Sequence, residues 1–393
     1  MNARGETIRL ATRGSSLARR QAATVVEALE SRRRSVELVE VETTGDRIRD
    51  ELVHRLGTTG AFVRSLDEQV VEGSVDAAVH SMKDVPTESH PDLVIAGVPD
   101  RASAGDVLVA PEGETLAALP DGATVGTSSL RRGAQLQAAR EDLEVVPLRG
   151  NVDTRVEKLL APGLQREHAA RLEAAEGTEH IEGEEGDVGT DGDGTDDGDT
   201  DGDGPDDDEA PTFEQSVQAW FDGLREVERR ALEREVDTEY DAIVLAAAGL
   251  ERTGLIHAVP TTRLDPTEFV PAPGQGALAV TAQDDDVGAL LHKVLDHPPT
   301  RVETTVERTV LDELGGGCVA PIGVHARLQG TVVTTNVRVL ARDGTEEVGA
   351  TRELPVEQHA SAAREFAATL AERGARELVE EIGRASCKER VYC

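Results

Sequence analysis

The sequence predicts an α/β fold in which two similar α/β domains are followed by a small α+β domain. Strand-like and helix-like segments alternate between residues 7 and 81, and this alternation is typical of βαβ units with a largely parallel sheet. The alternation starts again near residue 104. After about residue 300 the pattern changes to one helix, several strands in succession and a last helix. A chain of 393 residues is long enough to bury the cores of two or three such domains.

The first α/β domain is predicted from five segments. Alternation and β-branched residues indicate strands, whereas apolar residues at helical spacing and a cap residue indicate helices; Ser15 or Ser16 would be the N-cap of the first helix. The segments are the strand "TIRLAT" (7 to 12), the helix "SSLARRQAATVVEALES" (15 to 31), the strand "VELVEVET" (36 to 43), the helix "AFVRSLDEQVVEG" (61 to 73) and the strand "VDAAVHS" (75 to 81).

The second α/β domain repeats this order. "DVLVAP" (106 to 111) and "ATVGT" (123 to 127) predict strands, and "SSLRRGAQLQAARED" (128 to 142) predicts a helix. "YDAIVLAAAGLERTG" (240 to 254) predicts a buried strand that leads into a helix. Since "SSLRR" is similar to the earlier "SSLARR", we expect equivalent corners between strand and helix in the two domains, although five residues can also agree by chance.

The α+β domain is predicted from the end of the chain. "VHARL", "TVVTTNVRVLA" and "EEVGATRE" have the alternation of strands, and Asp343-Gly344 is a typical hairpin turn between the last two. One helix, from about 357 to 380, would follow them.

A long acidic segment interrupts the second domain. Residues 176 to 209 contain 17 acidic residues and no lysine or arginine, so they cannot bury enough apolar surface to fold, and we expect disorder. Their flanks, 164 to 175 and 213 to 236, have helical patterns that could pair. Asp197, Asp199, Asp201 and Gly202 match only the start of a calcium loop, and no metal site is expected.

The composition indicates a halophilic protein. The formal net charge is −35, and removing the acidic segment still leaves 59 acidic against 41 basic residues, of which only four are lysines. Hydrated carboxylates keep such a surface soluble in concentrated salt. Nothing favours nucleic acid as a partner, and no stretch is apolar enough for a signal peptide or a membrane span, so we expect a cytoplasmic protein.

Arginines recur at corners that should face one cleft. A helix N-terminus, serine hydroxyls and forked guanidinium groups together form a strong site for anions. The alternative is that each arginine only neutralises surface acids. The residues concerned are Arg13, Ser128, Ser129, Arg131, Arg132, Arg149 and Arg155.

Two further residues are candidates for chemistry. Asp84 follows the strand at 75 to 81, hence lies at a carboxyl end, where ligands bind open α/β sheets, and it could stabilise a cation that develops on the substrate. Cys318 follows three glycines, so a bulky group could approach its sulfur. For Asp84, an aspartate that caps a loop is an equally open interpretation. For Cys318 taken by itself, a small buried core residue is the favoured interpretation, since isolated cysteines are usually of that kind.

Seven blocks of the sequence, in order, resemble the motifs of porphobilinogen deaminases, also called hydroxymethylbilane synthases. They cover about residues 8 to 160 and 239 to 325. The blocks are "ATRGSSLARRQ", "AFVRSLDEQVVEGSVDAAVHSMKDVPTE", "GTSSLRRGAQL", "LRGNVDTR", "DAIVLAAAGLERTG", "PAPGQGALAV" and "LGGGCVAPIG".

The resemblance implies a fold and a domain arrangement. The first two domains of the protein would be similar to type II periplasmic binding proteins. The chain would cross from one of these domains to the other near residues 97 to 105 and 268 to 277, and these segments are called the crossovers. Domain 1 would be 1–99 and 277–297, and domain 2 would be 104–270 with the insertion at about 161–238. Domain 3 would be 300–380, and we expect a monomer.

The resemblance also implies an activity in tetrapyrrole and heme biosynthesis. Four porphobilinogen molecules would be joined head to tail, each with loss of ammonia, onto a dipyrromethane cofactor that Cys318 holds through a thioether. Hydrolysis would then release hydroxymethylbilane. The glycines before Cys318 would leave room for the pyrrole chain.

Site residues follow from the same motifs. Asp84 would stabilise the positive pyrrole nitrogens of the cofactor and of an azafulvene-like intermediate. The resemblance assigns cofactor carboxylates to Lys83, Ser129, Arg131 and Arg132, and substrate or chain carboxylates to Arg13, Ser15, Arg149, Arg155 and Arg252.

Two features depart from the family pattern. "GTTG" (57 to 60) stands where the family has "GGKG", so Thr59 replaces the usual lysine of a mobile loop. The acidic insertion, at about 161–238, stands where the family has a short connection before "YDAIVL".

The tail "EIGRASCKERVYC" (381 to 393) adds two of the three cysteines after the last helix, and we expect it not to be native.

Two other functions compete with this interpretation. A solute-binding protein for a carboxylate would share the two α/β domains but has no use for a third domain with a cysteine among glycines. A cysteine-dependent acyl transferase needs a base near Cys318, which the spacing does not identify.

Overall fold

The computed structural model describes residues 6–31, 34–41, 61–88, 90–182, 213–316 and 320–381. The strands of these residues are β1 (Glu6–Arg13), β2 (Arg34–Val41), β3 (Ala77–Ser81), β4 (Leu93–Gly97), β5 (Asp106–Val109), β6 (Thr124–Gly126), β7 (Glu144–Val146), β8 (Ala242–Ala246), β9 (Thr261–Arg263), β10 (Leu278–Gln283), β11 (Ile322–Gln329), β12 (Val332–Leu340) and β13 (Glu347–Pro355).

The helices are α1 (Ser16–Leu29), α2 (Ala61–Val71), α3 (Leu130–Ala139), α4 (Val152–Glu182), α5 (Val217–Gly223), α6 (Glu226–Leu232), α7 (Ala247–Thr253), α8 (Asp286–Leu295), α9 (Pro298–Glu313) and α10 (His359–Glu372). Short 3₁₀ turns are formed by Met82–Asp84, Leu255–His257 and Val356–Gln358. The chain divides into two compact units, Met1–Arg155 with Tyr240–Cys393, and Val156–Glu239.

Two five-stranded sheets in the larger unit have the same architecture. The strand order is β2-β1-β3-β10-β4 in the first sheet and β7-β6-β8-β5-β9 in the second. Strands β1 and β6 hold equivalent places, and each leads into a helix. The prediction of two similar α/β domains is therefore confirmed.

Both sheets are mixed, so the predicted largely parallel sheet is wrong for the strands that follow a crossover. Strand β10 runs antiparallel to β3 and β4, and β5 runs antiparallel to β8 and β9. Parallel neighbours need a long return connection, usually a helix. Strands β5 and β10 instead enter directly from the other sheet, over residues 98–105 and 264–277, and pair in the opposite direction.

The two corners between strand and helix are equivalent. Ser15 caps α1 by accepting a hydrogen bond from the amide of Ala18 (3.2 Å), and Ser129 caps α3 by accepting one from the amide of Arg132 (3.4 Å). Each hydroxyl satisfies an amide that lacks a partner within its helix. Of the two serines proposed for the first cap, Ser15 is the one that fills it.

The third sheet is the antiparallel meander β11-β12-β13, which α9 and α10 cover with a buried apolar core. Its second turn contains Gly344 at φ +74°, as the Asp343-Gly344 pair predicts. A side chain there would also meet α3, because a Cβ atom would lie 2.6 Å from the amide nitrogen of Ala138. The small α+β domain is confirmed.

The last helix is shorter than predicted. α10 begins at His359 and ends at Glu372, and helical residues resume only at Ala375. Gly374 adopts φ +96°, outside the right-handed helical region, and thereby breaks the single helix expected over 357 to 380.

Glu307 of α9 joins the two crossovers and the third sheet. It is fully buried, and its carboxylate accepts hydrogen bonds from both terminal nitrogens of Arg101, at 2.8 and 3.0 Å. The amides of Gly274 (2.6 Å) and Ala326 (2.8 Å) donate to the same carboxylate. Each carboxylate oxygen thus accepts two hydrogen bonds, and the buried guanidinium has its countercharge.

The crossovers touch each other at Gly276. This residue has φ +85°, and a Cβ atom would lie 2.5 Å from the carbonyl oxygen of Ala102 and 2.7 Å from that of Ser103. The amide of Ala102 donates to the carbonyl of Gly276 (3.3 Å). Only glycine fits where the two segments cross.

The smaller unit contains paired helices, as the flanks of the acidic segment predict. Glu157 is buried and forms an ion pair with Arg234. Gln165 donates to the carbonyl oxygens of Leu232 (3.1 Å) and Arg234 (2.8 Å), and the rings of His168 and Trp220 are stacked 5.8 Å apart.

The helix α4 extends to Glu182, into the segment predicted to be disordered. That prediction is wrong for residues 176–182, because the helix begun at Val152 continues through them. The remainder of the segment lies outside the described residues, as do "GTTG" with Thr59, Cys318 and the tail after Glu381.

Candidate active site

Seven of the predicted site residues border one cleft of about 180 Å³. It lies where β1, β3 and β8 end, so its walls come from the residues that follow these strands, together with the second crossover. Ligands bind at such carboxyl ends in open α/β sheets. The seven residues are Arg13, Ser15, Lys83, Asp84, Arg132, Arg155 and Arg252.

Asp84 is presented to the cleft by a short turn. β3 ends at Ser81, and the 3₁₀ turn that follows is closed by a hydrogen bond from the amide of Val85 to the carbonyl of Met82 (3.1 Å). Arg308 of α9 donates to the carbonyl oxygens of Val85 and Pro86, both at 2.7 Å. The turn is therefore held in place from the third sheet's helix, while the carboxylate of Asp84 stays exposed.

A buried carboxylate, Asp106, organises the two adjacent arginines. It accepts hydrogen bonds from Arg131 (2.7 Å) and from Nε and Nη2 of Arg132 (3.0 and 2.7 Å). Burial by itself would raise the pKa of Asp106, but the two guanidinium groups outweigh it and lower this pKa to about 2. Asp106 is thus an anion that positions Arg132 at the cleft.

Gln275 completes this network. Its side-chain nitrogen donates to Asp106 (2.9 Å) and to the carbonyl of Ala104 (2.6 Å), and its side-chain oxygen accepts from Arg132 (3.3 Å). It thereby connects both crossovers to the arginine pair.

The cleft concentrates cations that have lost water. Burial lowers the pKa of Lys83, with Asp84 opposing this effect and Arg132 adding to it. Burial, followed by the charge of Arg132, lowers the pKa of Arg155 to about 10. The pKa of Arg252 is also lowered by burial, and its guanidinium donates to the carbonyl of Gly276 (2.7 Å). An anionic ligand would relieve this accumulation of positive charge.

Three of the predicted site residues do not reach the cleft surface. Ser129 is the cap of α3, and Arg149 is half-buried away from the lining. Arg131 is buried, where it donates to Asp106 and to the carbonyl of Val270 (2.7 Å). Its Nε is buried and lacks a hydrogen-bond partner among the residues that the structure describes.

Sequence reasoning missed Asp106, Gln275 and Arg308. Asp106 carried a usable signal, since an aspartate that opens an otherwise apolar strand must be paired when it is buried. Gln275 lies in the block "PAPGQGALAV", but the motif did not indicate its role, and Arg308 gave no signal. The contacts of both join segments more than a hundred residues apart.

The residues present fit a polycarboxylate cofactor. Five basic side chains and one carboxylate, Asp84, border the cleft, and the first turns of α1, α3, α4 and α7 contribute to its wall. In the described ranges there is no group of three or more histidine, cysteine, aspartate or glutamate residues that could hold a metal ion. The described helices include none that is long and apolar enough to cross a membrane.

Comparisons with known proteins agree with the motifs. The family model "Porphobilinogen deaminase, dipyromethane cofactor binding domain" matches residues 8–184 and 223–290, and the "Porphobilinogen deaminase, C-terminal domain" model matches residues 302–373. A "Probable porphobilinogen deaminase" of Halobacterium salinarum is 57% identical over 388 residues, which cover 96% of this chain and 98% of the relative. Another "Probable porphobilinogen deaminase", of Methanococcoides burtonii, is 34% identical over 374 residues, which cover 95% of this chain and 96% of the relative.

Two solute-binding proteins of known structure have weak likeness to the chain. The alkanesulfonate-binding protein SsuA from Xanthomonas axonopodis pv. citri has a TM-score of 0.28 at 13% identity, covering 80% of this chain and 78% of its own. The ectoine-binding protein TeaA has a TM-score of 0.33 at 10% identity, and the match covers 98% of this chain and 100% of TeaA. The strand orders, and not these scores, establish the fold.

Proposed function

Because the chain belongs to the porphobilinogen deaminase family, we propose that the cleft bordered by Asp84 is its active site and that the cations around it hold the carboxylates of the cofactor and of the growing pyrrole chain. The family has a dipyrromethane cofactor and acts in tetrapyrrole biosynthesis, and its activity is the activity of this chain. What we propose is which residues carry that activity, and how.

One observation carries the proposal. The predicted cations come from segments that are far apart in sequence, yet Arg13, Lys83, Arg132, Arg155 and Arg252 border a single cleft. Bringing five basic groups together in a partly dry site costs free energy, since each loses water and repels the others. A ligand with several carboxylates compensates this cost, and pyrrole rings with acetate and propionate side chains are such a ligand.

The cofactor would be held at two places. We propose that Cys318 carries it covalently and that Lys83 and Arg132 bind its carboxylates. When bound, the dipyrromethane supplies the pyrrole end to which the porphobilinogen units are added. Arg13, Ser15, Arg155 and Arg252 would bind carboxylates of the substrate and of the chain as it lengthens.

Three further residues have supporting roles in this proposal. Ser129 caps the helix that carries Arg132, and Arg131 shares Asp106 with it, so both position Arg132. Arg149 precedes Gly150, the carbonyl acceptor of Arg155, and lies within reach of a chain that extends beyond the cleft.

Asp84 would act through its charge. It is the carboxylate of the cleft wall, and a cation that forms on a pyrrole beside it is stabilised there more strongly than in water. The turn that carries Asp84 is fixed by Arg308, so little reorganisation is needed when the charge develops.

We also propose the boundaries and the setting of the protein. Domain 1 would comprise 1–99 and 277–297, domain 2 would comprise 104–270, and domain 3 would comprise 300–380. The chain would be monomeric, cytoplasmic and adapted to high salt, with porphobilinogen as its small-molecule substrate. Light scattering at molar salt would test the monomer.

Intact mass and a colour reaction test the proposal together. The purified protein should exceed its sequence mass by two linked pyrrole rings and should give colour with an aldehyde reagent for pyrroles. It should also consume porphobilinogen and release ammonia. A protein without the mass increment, which bound a carboxylate but consumed no porphobilinogen, would contradict the proposal.

A further inference from the structure

A buried histidine lies beside the cleft, four residues before Asp84. His80 is on β3, and its side chain is 4% exposed. Its Nε2 atom is 3.0 Å from Oδ1 of Asp67 on α2 and 3.1 Å from Oγ1 of Thr281 on β10. Thr281 in turn donates its hydroxyl proton to Asp67 (2.8 Å).

These contacts determine which ring nitrogen carries a proton. The hydroxyl group of Thr281 donates its hydrogen bond to Asp67, and an ionised carboxylate can only accept hydrogen bonds. Nε2 of His80 must therefore be the donor to Asp67. In the neutral ring Nδ1 then has the free electron pair.

Nδ1 is the nitrogen that remains available. Among the described residues it has no hydrogen-bond partner, and it does not belong to their fully buried unpartnered atoms. His80 itself borders the cleft together with Lys83 and Asp84. An imidazole that has one nitrogen on a carboxylate and the other without a partner, on a residue that borders the cleft, has the arrangement of a general base.

We propose that His80, oriented by Asp67, is a proton-transfer residue of the active site. This proposal rests on the proposed function. In each condensation the C–N bond of the aminomethyl group breaks with its electron pair going to nitrogen, and one C–C bond forms between two pyrrole units. The attacked ring carbon loses a proton, whose bonding pair returns to the ring, and the leaving nitrogen departs as ammonia.

The role of His80 follows from that balance. Nδ1 takes the proton from the ring carbon after the C–C bond has formed, and Asp67 stabilises the imidazolium that results. The imidazolium then gives this proton to the aminomethyl nitrogen of the next porphobilinogen, which leaves as ammonia in the following condensation. In this proposal Asp84 stays an anion throughout, because it stabilises the positive charge. The proton is therefore transferred by a second group, His80. Of the charged groups around the ring, Asp67 from α2 contacts it directly. Lys83 and Asp84 from the turn after β3 border the same cleft, as do Arg13 and Arg132.

The following variants distinguish a proton-transfer role of His80 from a purely structural role. His80→Gln keeps a nitrogen donor where Nε2 lies but cannot take up a proton. We expect it to fold and to carry the cofactor by intact mass, while kcat for ammonia release falls about 100-fold or more. The limb of the kcat–pH profile that reports the deprotonation of a general base should disappear with it. His297→Gln is the matched control, because His297 pairs with Asp100 (3.2 Å) outside the cleft; its kcat should stay within about threefold.

A second variant tests the proposal if His80→Gln does not fold. Asp67→Asn leaves the histidine in place but removes the charge that selects its tautomer, so the same limb should be lost and kcat should fall. If His80→Gln folds with kcat within about threefold of wild type and an unchanged profile, the proposal is overturned. If His80→Gln does not fold, an unchanged profile in Asp67→Asn overturns it. Wild-type protein that consumes no porphobilinogen would instead overturn the proposed function.

Discussion

Replacing Glu307 by glutamine should destabilise the protein severely, although the two side chains have nearly the same shape. The carboxylate accepts four hydrogen bonds, from two nitrogens of Arg101 and from the amides of Gly274 and Ala326. A glutamine keeps one acceptor oxygen. Its NH₂ group then faces two donors in either orientation. The guanidinium of Arg101, whose side chain is 7% exposed, loses its hydrogen-bonded countercharge and keeps only the more distant carboxylate of Glu303 (3.8 Å).

The magnitude follows from these losses. Breaking a buried ion pair on one side typically costs about 3 to 5 kcal/mol, because the partner is left buried and uncompensated. We therefore expect Glu307→Gln to lower the free energy of unfolding by about 4 kcal/mol. The matched control is Glu347→Gln, which breaks the pair with Arg338 on a carboxylate that is 42% exposed, and which should cost about 1 kcal/mol or less.

The assay is urea unfolding at constant salt, followed by far-UV circular dichroism for wild type and both variants. The midpoint should fall far more for Glu307→Gln than for Glu347→Gln. If the two variants lost similar stability, within about 1 kcal/mol, the burial and pairing of Glu307 would not have the energetic weight assigned to them.

Four other predictions follow from the site. Asp84→Ala should stay folded and keep the cofactor mass but lose nearly all porphobilinogen consumption, since the cationic cleft loses its anion; activity within tenfold of wild type would refute this. Cys318→Ser should lack the mass increment, and its presence would show that another residue is the anchor. Replacing residues 176–209 by a short Gly-Ser linker should change kcat and KM by less than about threefold and lower solubility at high salt, because carboxylates retain water there; loss of activity would indicate a regulatory segment. The folded pKa of Asp106 is about 2, below its ordinary 3.8, so it stabilises the fold above pH 3.8 and this contribution, about 2 kcal/mol, is lost as the pH falls toward 2. Acid unfolding of Asp106→Asn should lack that component, and equal acid sensitivity in both proteins would contradict the assignment.

Local features of the fold were predictable from sequence. The helix starting after Ser15 and the turn at Gly344 depend on neighbours a few residues away, and both are found where they were expected. The direction of β5 and β10 was not predictable in this way, because it depends on which sheet the chain has just left. The break at Gly374 was missed because one glycine within a helical pattern does not by itself end it.

The site was predictable as a set of charges but not as a network. Motifs identified Asp84 and the arginines, and the structure brings seven of these residues to one cleft. They could not show that Arg131 faces away from it, since that depends on Asp106, whose burial is a tertiary property. For the same reason the partners of His80 appear only when α2 and β10 are packed against β3.

The position of β10 has a consequence for biosynthesis. The second sheet is built from one continuous stretch, residues 106 to 263, whereas the first sheet needs β10 between β3 and β4. Among the strands that the structure describes, β4 pairs only with β10. Leu93–Gly97 must therefore wait during translation until about 190 more residues have been made. The second sheet can therefore form before the amino-terminal sheet is closed, although the amino-terminal sheet begins to be translated earlier.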